Sequence, residues 1–229
     1  MRLGLVGRAP SEYDDAFMAN MAAAYLRQTP WTRLRLAAVR DLVEPRPGDR
    51  ILDLGSAGGA MTHYLATFGA HVVGVDAEPR AIEIASRLFP RLRFEVADVT
   101  ALPFPARSFE KAVAADLVEH MGDATLEQML DEVRRVLVPA GSLTIYTPNA
   151  RHPIERLKER DLVLARNETH IGLRGAHDLA AALEGRGFRV DRSEWRPSFF
   201  PVLSLAERFG GDRFEALRYR LCLRGRTPA

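Results

Sequence analysis

The sequence is poor in cysteine and lysine and has no long apolar run. Its 229 residues include one cysteine, Cys222, so neither a disulfide framework nor a cysteine metal cluster can form, and a reducing compartment is the expected home. No stretch approaches the ~20 apolar residues of a membrane helix. The opening segment, MRLGLVGRAPSEYDD, has no apolar centre of the kind a secretory signal needs. These absences lead to the expectation of a cytoplasmic protein without stable membrane insertion. Lysine occurs only as Lys111 and Lys158, so arginine makes up the rest of the 32 basic residues. A GC-rich genome produces that bias without functional selection.

The length suits one α/β domain with small additions and a sizeable core. A 47% hydrophobic and 27% charged composition is ordinary for a globular chain. The net charge of +2 hides an asymmetry: residues 1–150 hold 16 basic and 19 acidic side chains (−3), and residues 151–229 hold 16 and 11 (+5). A basic final third can face an acidic substrate, a phosphate or an anionic membrane, or be a solvated arginine-rich surface.

Residues 33–44 carry apolar side chains at helical spacing, and Pro45, Pro47 and Gly48 stop that helix. A regular alternation then begins. The pattern predicts strands at 50–54, 71–75, 92–96, 111–115 and 142–146. Helices are predicted at 60–68, 79–88 and 124–138, the last ended by Pro139 and Gly141. Beyond Pro148 a charged helical stretch covers 150–166, a helix 176–185, a strand 188–195 and a final strand 214–223. Such alternation implies a mostly parallel sheet with helices on both faces. One domain is expected: an N-terminal helical cap (1–45), a core (50–149), a lid insertion (150–175) and the C-terminal part of the sheet (176–229). Residues 1–30 and 150–170 would close over the site as a helical lid.

The chemistry concentrates at Ile51-Leu-Asp-Leu-Gly-Ser-Ala-Gly-Gly59. A buried strand runs into a glycine turn and then a helix, so a ligand can lie against bare backbone at a helix N-terminus. Asp76 ends the second strand and can accept from both hydroxyls of a ribose. Asp98 ends the third strand and can accept from an adenine amino group. Each aspartate alone is more often a cap or loop residue; their recurrence at successive strand ends is the signal.

These motifs resemble the class I S-adenosylmethionine-dependent methyltransferases, especially the small-molecule group that includes the ubiquinone-pathway enzymes. The likeness covers Arg50 to about Asn149 and, more weakly, Thr169 to Val190. The family signature D-x-G-x-G-x-G reads Asp53-Leu-Gly55-Ser-Ala57-Gly-Gly59 here, so Ala57 replaces the middle glycine, and its methyl is expected to shift the cofactor's methionine moiety slightly. The resemblance implies a Rossmann-like seven-stranded sheet of order 3-2-1-4-5-7-6 with strand 7 antiparallel. It implies S-adenosylmethionine as cofactor, with Asp53 leading the motif and Gly55, Ser56, Ala57 and Gly59 cradling the methionine moiety. Asp76, with Ala77 beside it, would bind the ribose, Asp98 and Val99 would flank the adenine, and Ala115 and Asp116 would border the sulfonium.

A displacement at an activated methyl asks the protein for positioning and water exclusion, and for a base only when the nucleophile must lose a proton early. His120, at the mouth of the site, and His170, after the charged insertion, are the candidate bases. For His120 a structural hydrogen bond is the competing role. His152 is a weaker candidate for a lid residue, and His63, His71 and His177 read as surface or core positions. No H-x-x-x-H or carboxylate cluster is spaced for a metal. The segment after the fourth strand, Ala115-Asp-Leu-Val-Glu-His120, lacks the Asp/Asn-Pro-Pro-aromatic motif of base-amino methyltransferases, so a nucleic-acid partner is not expected.

Two other readings compete. A nicotinamide-dependent oxidoreductase needs G-x-G-x-x-G, and Ala57 and Ala60 break that pattern twice. A non-catalytic S-adenosylmethionine-binding protein is compatible with every motif. The expected partner is a small molecule with an apolar body, methylated at O, N or C by a monomer or homodimer.

Overall fold

The computed structural model describes residues 25, 27, 29–159, 169–198 and 201–229. Among them run α1 (Pro30–Val43), β1 (Arg50–Leu54), α2 (Ala60–Ala66), β2 (His71–Asp76), α3 (Pro79–Leu88), β3 (Arg93–Val96), β4 (Phe109–Ala115), α4 (Asp123–Val136), β5 (Leu137–Pro148), α5 (Pro153–Glu159), α6 (Ala176–Gly185), β6 (Arg189–Arg196), α7 (Pro201–Gly210) and β7 (Arg220–Arg226). The strands form one seven-stranded sheet of order β3-β2-β1-β4-β5-β7-β6. The first five in that order are parallel to one another, and β7 is antiparallel to both β5 and β6. No described helix is long and apolar enough to cross a membrane.

Successive side chains of a strand point to opposite faces, and the core divides accordingly. Leu52, Leu54, Ala112, Ala114, Ile145, Leu221 and Leu223 pack with α4 and α6 on one face. Ile51, Val113, Ala115, Tyr146 and Cys222 pack with α1 and α2 on the other. The central strands therefore read as largely apolar runs, interrupted in β1 by the buried Asp53, because both faces are covered. Pro30 and Pro79 open α1 and α3, where the missing N–H costs nothing.

Three boundaries depart from the sequence pattern. First, α4 ends at Val136, and Leu137 already pairs with Phe109 in β5. Pro139 sits inside that strand instead of terminating a helix, because ladder pairing captures the chain earlier. Second, residues 215–217 form a 3₁₀ turn, and the last strand starts at Arg220. Glu215 is taken up elsewhere: its carboxylate accepts the Ala176 N–H (2.8 Å) and its carbonyl accepts Asn149 Nδ2 (2.9 Å). Third, α7 occupies residues to which the pattern assigns no element. Of the expected cap and lid, residues 1–24 and 160–168 lie outside the described residues. Tyr25 is buried against the core and shares a 2.6 Å hydrogen bond with His63 Nδ1.

Gly74 shows how tightly the sheet supports what lies above it. A Cβ there would sit 2.7 Å from the Phe94 ring and 2.8 Å from Thr62 Oγ1. That hydroxyl donates to Asp53, whose register partner on β2 is Gly74 itself. Gly74→Ala is expected to destabilise the fold by about 1–3 kcal/mol through overpacking, read as a lower denaturant midpoint at unchanged slope.

Candidate active site

The turn after β1 is held open by backbone geometry. Gly55 and Gly59 take φ values of +67° and +79°. Added Cβ atoms would meet Leu117 at 2.8 Å and Phe94 at 2.7 Å respectively, whereas nothing lies within 4 Å of one at Gly58. Ala57 also adopts a positive φ, +45°, a region that favours glycine. Its N–H donates to Asp76 Oδ2 (2.9 Å), and Asp76 Oδ1 accepts the Glu78 N–H (2.9 Å). Asp76 thus fastens the turn to the end of β2. The Ser56 hydroxyl is buried without a partner. An unsatisfied buried group of this kind costs free energy unless a ligand completes it.

Asp53 lies beneath the turn. It is buried, accepts from Thr62 Oγ1 at 2.6 Å, and burial raises its carboxyl to about 6 against the opposing effect of that bond. Its place is one of support under the turn. Asp98 is exposed after β3 and accepts both the Thr100 N–H (2.8 Å) and its hydroxyl (2.7 Å), which hold it below the usual carboxylate range. Val99 is buried beside it.

The end of β4 carries a second set of groups. Asp116 has φ +57° and accepts from Arg35 Nε of α1 (2.6 Å) and Arg220 Nη1 of β7 (2.7 Å). Burial would raise its carboxyl, but Arg220 and Arg35 overcome that and hold it below the normal range. Arg35 also donates to the Ala115 carbonyl at 3.2 Å. A 3₁₀ turn over Val118–His120 follows. It buries Glu119, which accepts from Thr147 Oγ1 at 3.0 Å. Burial and then the Asp116 charge raise the Glu119 carboxyl to about 8. His120 Nδ1 lies 3.1 Å from the Thr169 carbonyl, and its ring meets His170 edge-on at 5.0 Å. Burial lowers both imidazoles, and His120 reinforces the effect on His170, which falls to about 4. Both shifts favour the uncharged imidazole, and the larger one makes His170 the weaker base of the two.

Residues 51–141 match the methyltransferase domain family. The core of this chain is therefore similar to a methyltransferase domain. Over 95 residues, 42% of the chain and 45% of the relative, it is 37% identical to an uncharacterized methyltransferase of Synechocystis. Over 124 residues, 51% of the chain and 35% of the relative, it is 35% identical to the mitochondrial ubiquinone biosynthesis O-methyltransferase of Rattus norvegicus. The chain therefore spans less than half the length of these two relatives. Among solved structures, it is similar to a Haemonchus contortus phosphoethanolamine N-methyltransferase 2 in complex with S-adenosyl-L-methionine. That likeness has a TM-score of 0.67 and 20% identity, covering 86% of this chain and 53% of that one; at this identity it establishes the fold.

The fold brings together groups that the sequence treats separately. His120 and His170 come from the β4 end and from the segment before α6, yet they touch. Glu119 joins them: one ligand atom from each of the three lies within 4.8 Å of the others. Sequence spacing found no metal-like cluster because these ligands come from two distant segments, and the adjacent Glu-His pair was the one available hint. His152 takes a different place from the lid position considered for it. It is buried, 3.0 Å from Glu207 Oε1, and joins the start of α5 to α7. Ala77 lies directly after Asp76, whose backbone carbonyl accepts the Ala97 N–H at 3.0 Å.

A carboxyl raised in the folded state binds its proton more tightly there than in the unfolded chain. Its contribution to stability is complete below the unfolded value near 4.5 and is lost as pH rises through about 8. The wild-type melting temperature is therefore expected to fall between about pH 5 and about pH 8 more steeply than that of Glu119→Gln. Parallel slopes in thermal melts would remove the buried neutral carboxyl from the description.

Proposed function

We propose that the protein is an S-adenosylmethionine-dependent methyltransferase acting on a small molecule with an apolar body, at O, N or C. The observation that carries this reading is the unsatisfied Ser56 hydroxyl in a positive-φ glycine turn, with Asp76 and Asp98 at the next two strand ends. S-adenosylmethionine supplies a sulfonium-activated methyl group when bound. Gly55, Ser56, Ala57 and Gly59 hold its methionine portion, and Asp76 and Ala77 the ribose. Asp98 and Val99 flank the adenine, and Ala115 and Asp116 border the reacting end. Asp53 keeps the turn in shape from below. His170 and His120, uncharged at neutral pH, accept a proton from an acceptor that must lose one. A cytoplasmic location and a monomeric or homodimeric state belong to the same reading.

Calorimetry tests the cofactor assignment. S-adenosylhomocysteine is expected to bind and NADH is not; the reverse result overturns the proposal. Asp76→Ala removes the ribose acceptor and two backbone hydrogen bonds of the turn. Loss of a charged hydrogen-bond partner costs roughly 1.5–3 kcal/mol, so affinity for S-adenosylhomocysteine should fall by about ten- to a hundredfold. Catalysis is read separately, as S-adenosylhomocysteine released from S-adenosylmethionine in the presence of candidate acceptors. Binding without turnover across acceptors of every class would leave a cofactor-binding protein in its place.

A further inference from the structure

Arg220 is the first residue of β7, opposite Pro148 of β5. Its side chain is largely buried, and its surroundings are unusual for a buried cation. Two arginines, Arg220 and Arg35, share the single carboxylate of Asp116. The nearby Glu119 is held in its neutral form, and Arg196 across the ladder is occupied by Glu194. Two guanidinium groups thus converge on one carboxylate, with Asp53 acting on Arg35 from farther away. Arg220 Nε is buried and has no hydrogen-bond partner. Three aromatic rings frame the guanidinium, with centroids at 5.6 Å (Trp31), 5.5 Å (Tyr146) and 5.2 Å (Tyr219). Rings stabilise a cation through their faces and leave its N–H donors free.

A buried donor without a partner, in a guanidinium pair that shares one carboxylate, is a site for an anion. We propose that Arg220, backed by Arg35, forms the acceptor's anion subsite, taking a carboxylate or phosphate monoester whose flat apolar body lies among Trp31, Tyr146 and Tyr219. The inference rests on the methyl-transfer reading and specifies its acceptor. Position supports assignment to the acceptor. Along the sheet β7 is three strands from β1, roughly 14 Å at the usual strand spacing, whereas the turn that holds the cofactor's methionine portion follows β1. Asp116 then stands between the two ligands, and the same end of the sheet carries His120 and His170. The guanidinium fork matches two-oxygen anions. The competing role, a purely structural clasp on Asp116, leaves the Nε donor without a partner.

The test titrates the full chain, saturated with S-adenosylhomocysteine, with benzoate, phenyl phosphate and benzyl alcohol in a calorimeter. Saturation keeps the cofactor's own carboxylate from being counted. At least one anion is expected to bind about tenfold or more tightly than the alcohol, and which of the two does so separates carboxylate from phosphate. Arg220→Gln should abolish the preference and Arg220→Lys, which keeps the charge and loses the fork, should reduce it several-fold; retained S-adenosylhomocysteine binding shows that each variant folds. Equal affinity for all three probes, or no binding of either anion, overturns the proposal from the wild type alone. A preference that survives in whichever variant folds also overturns it. Failure of S-adenosylhomocysteine to bind the wild type is a separate outcome that removes the cofactor reading and the acceptor assignment with it.

Discussion

The carboxylate of Asp116 is the point through which the two halves of the site are joined. It receives one arginine from α1 and another from β7, elements that enter from opposite ends of the chain. Buried ion pairs of this kind gain little net stability over an apolar replacement, because desolvation offsets attraction; removing one partner is costly. Their value lies in specifying geometry. Here the pair holds α1 against β4, β5 and β7, so this end of the sheet is covered by a helix whose position depends on charge as well as on Leu36, Val39, Leu42 and Val43 in the core.

The cofactor side is organised by a different constraint. Three positive-φ residues in five positions, Gly55, Ala57 and Gly59, are needed to bring the chain from β1 into α2 without closing over the strand ends. Ala57 holds such a conformation at a cost that Asp76 offsets by accepting its N–H. The methyl that distinguishes this turn from the all-glycine signature packs against Ala81 and Ile84 of α3. The departure is therefore accommodated by local packing and by one carboxylate. Fold alone does not specify chemistry, so the reading of this site stands on these groups.

Much of the cofactor half is legible without coordinates. β1 and α3 fall where periodicity and Pro79 place them, and Asp76 and Asp98 are found at strand ends. Local rules suffice there, because strand, turn and helix start are set by residues adjacent in sequence. Legibility fails where partners are remote. Glu215 leaves the strand pattern for a turn because Ala176 and Asn149 claim it, and α4 stops at Val136 because Phe109 pairs with the next residue.

Residue order alone sets the order and type of the core elements and the glycine turn, and it leads to the expectation of a nucleoside site across the ends of β1 to β3. Periodicity and turn residues are local quantities, and they survive in one dimension. The tertiary structure alone decided that His120, His170 and Glu119 share one corner, that burial raises the Glu119 carboxyl there, and that Arg35 and Arg220 converge on Asp116. Those facts depend on burial and on proximity between distant segments. A histidine or arginine in a sequence has no pKa shift and no partner until folding removes its water and supplies its neighbours.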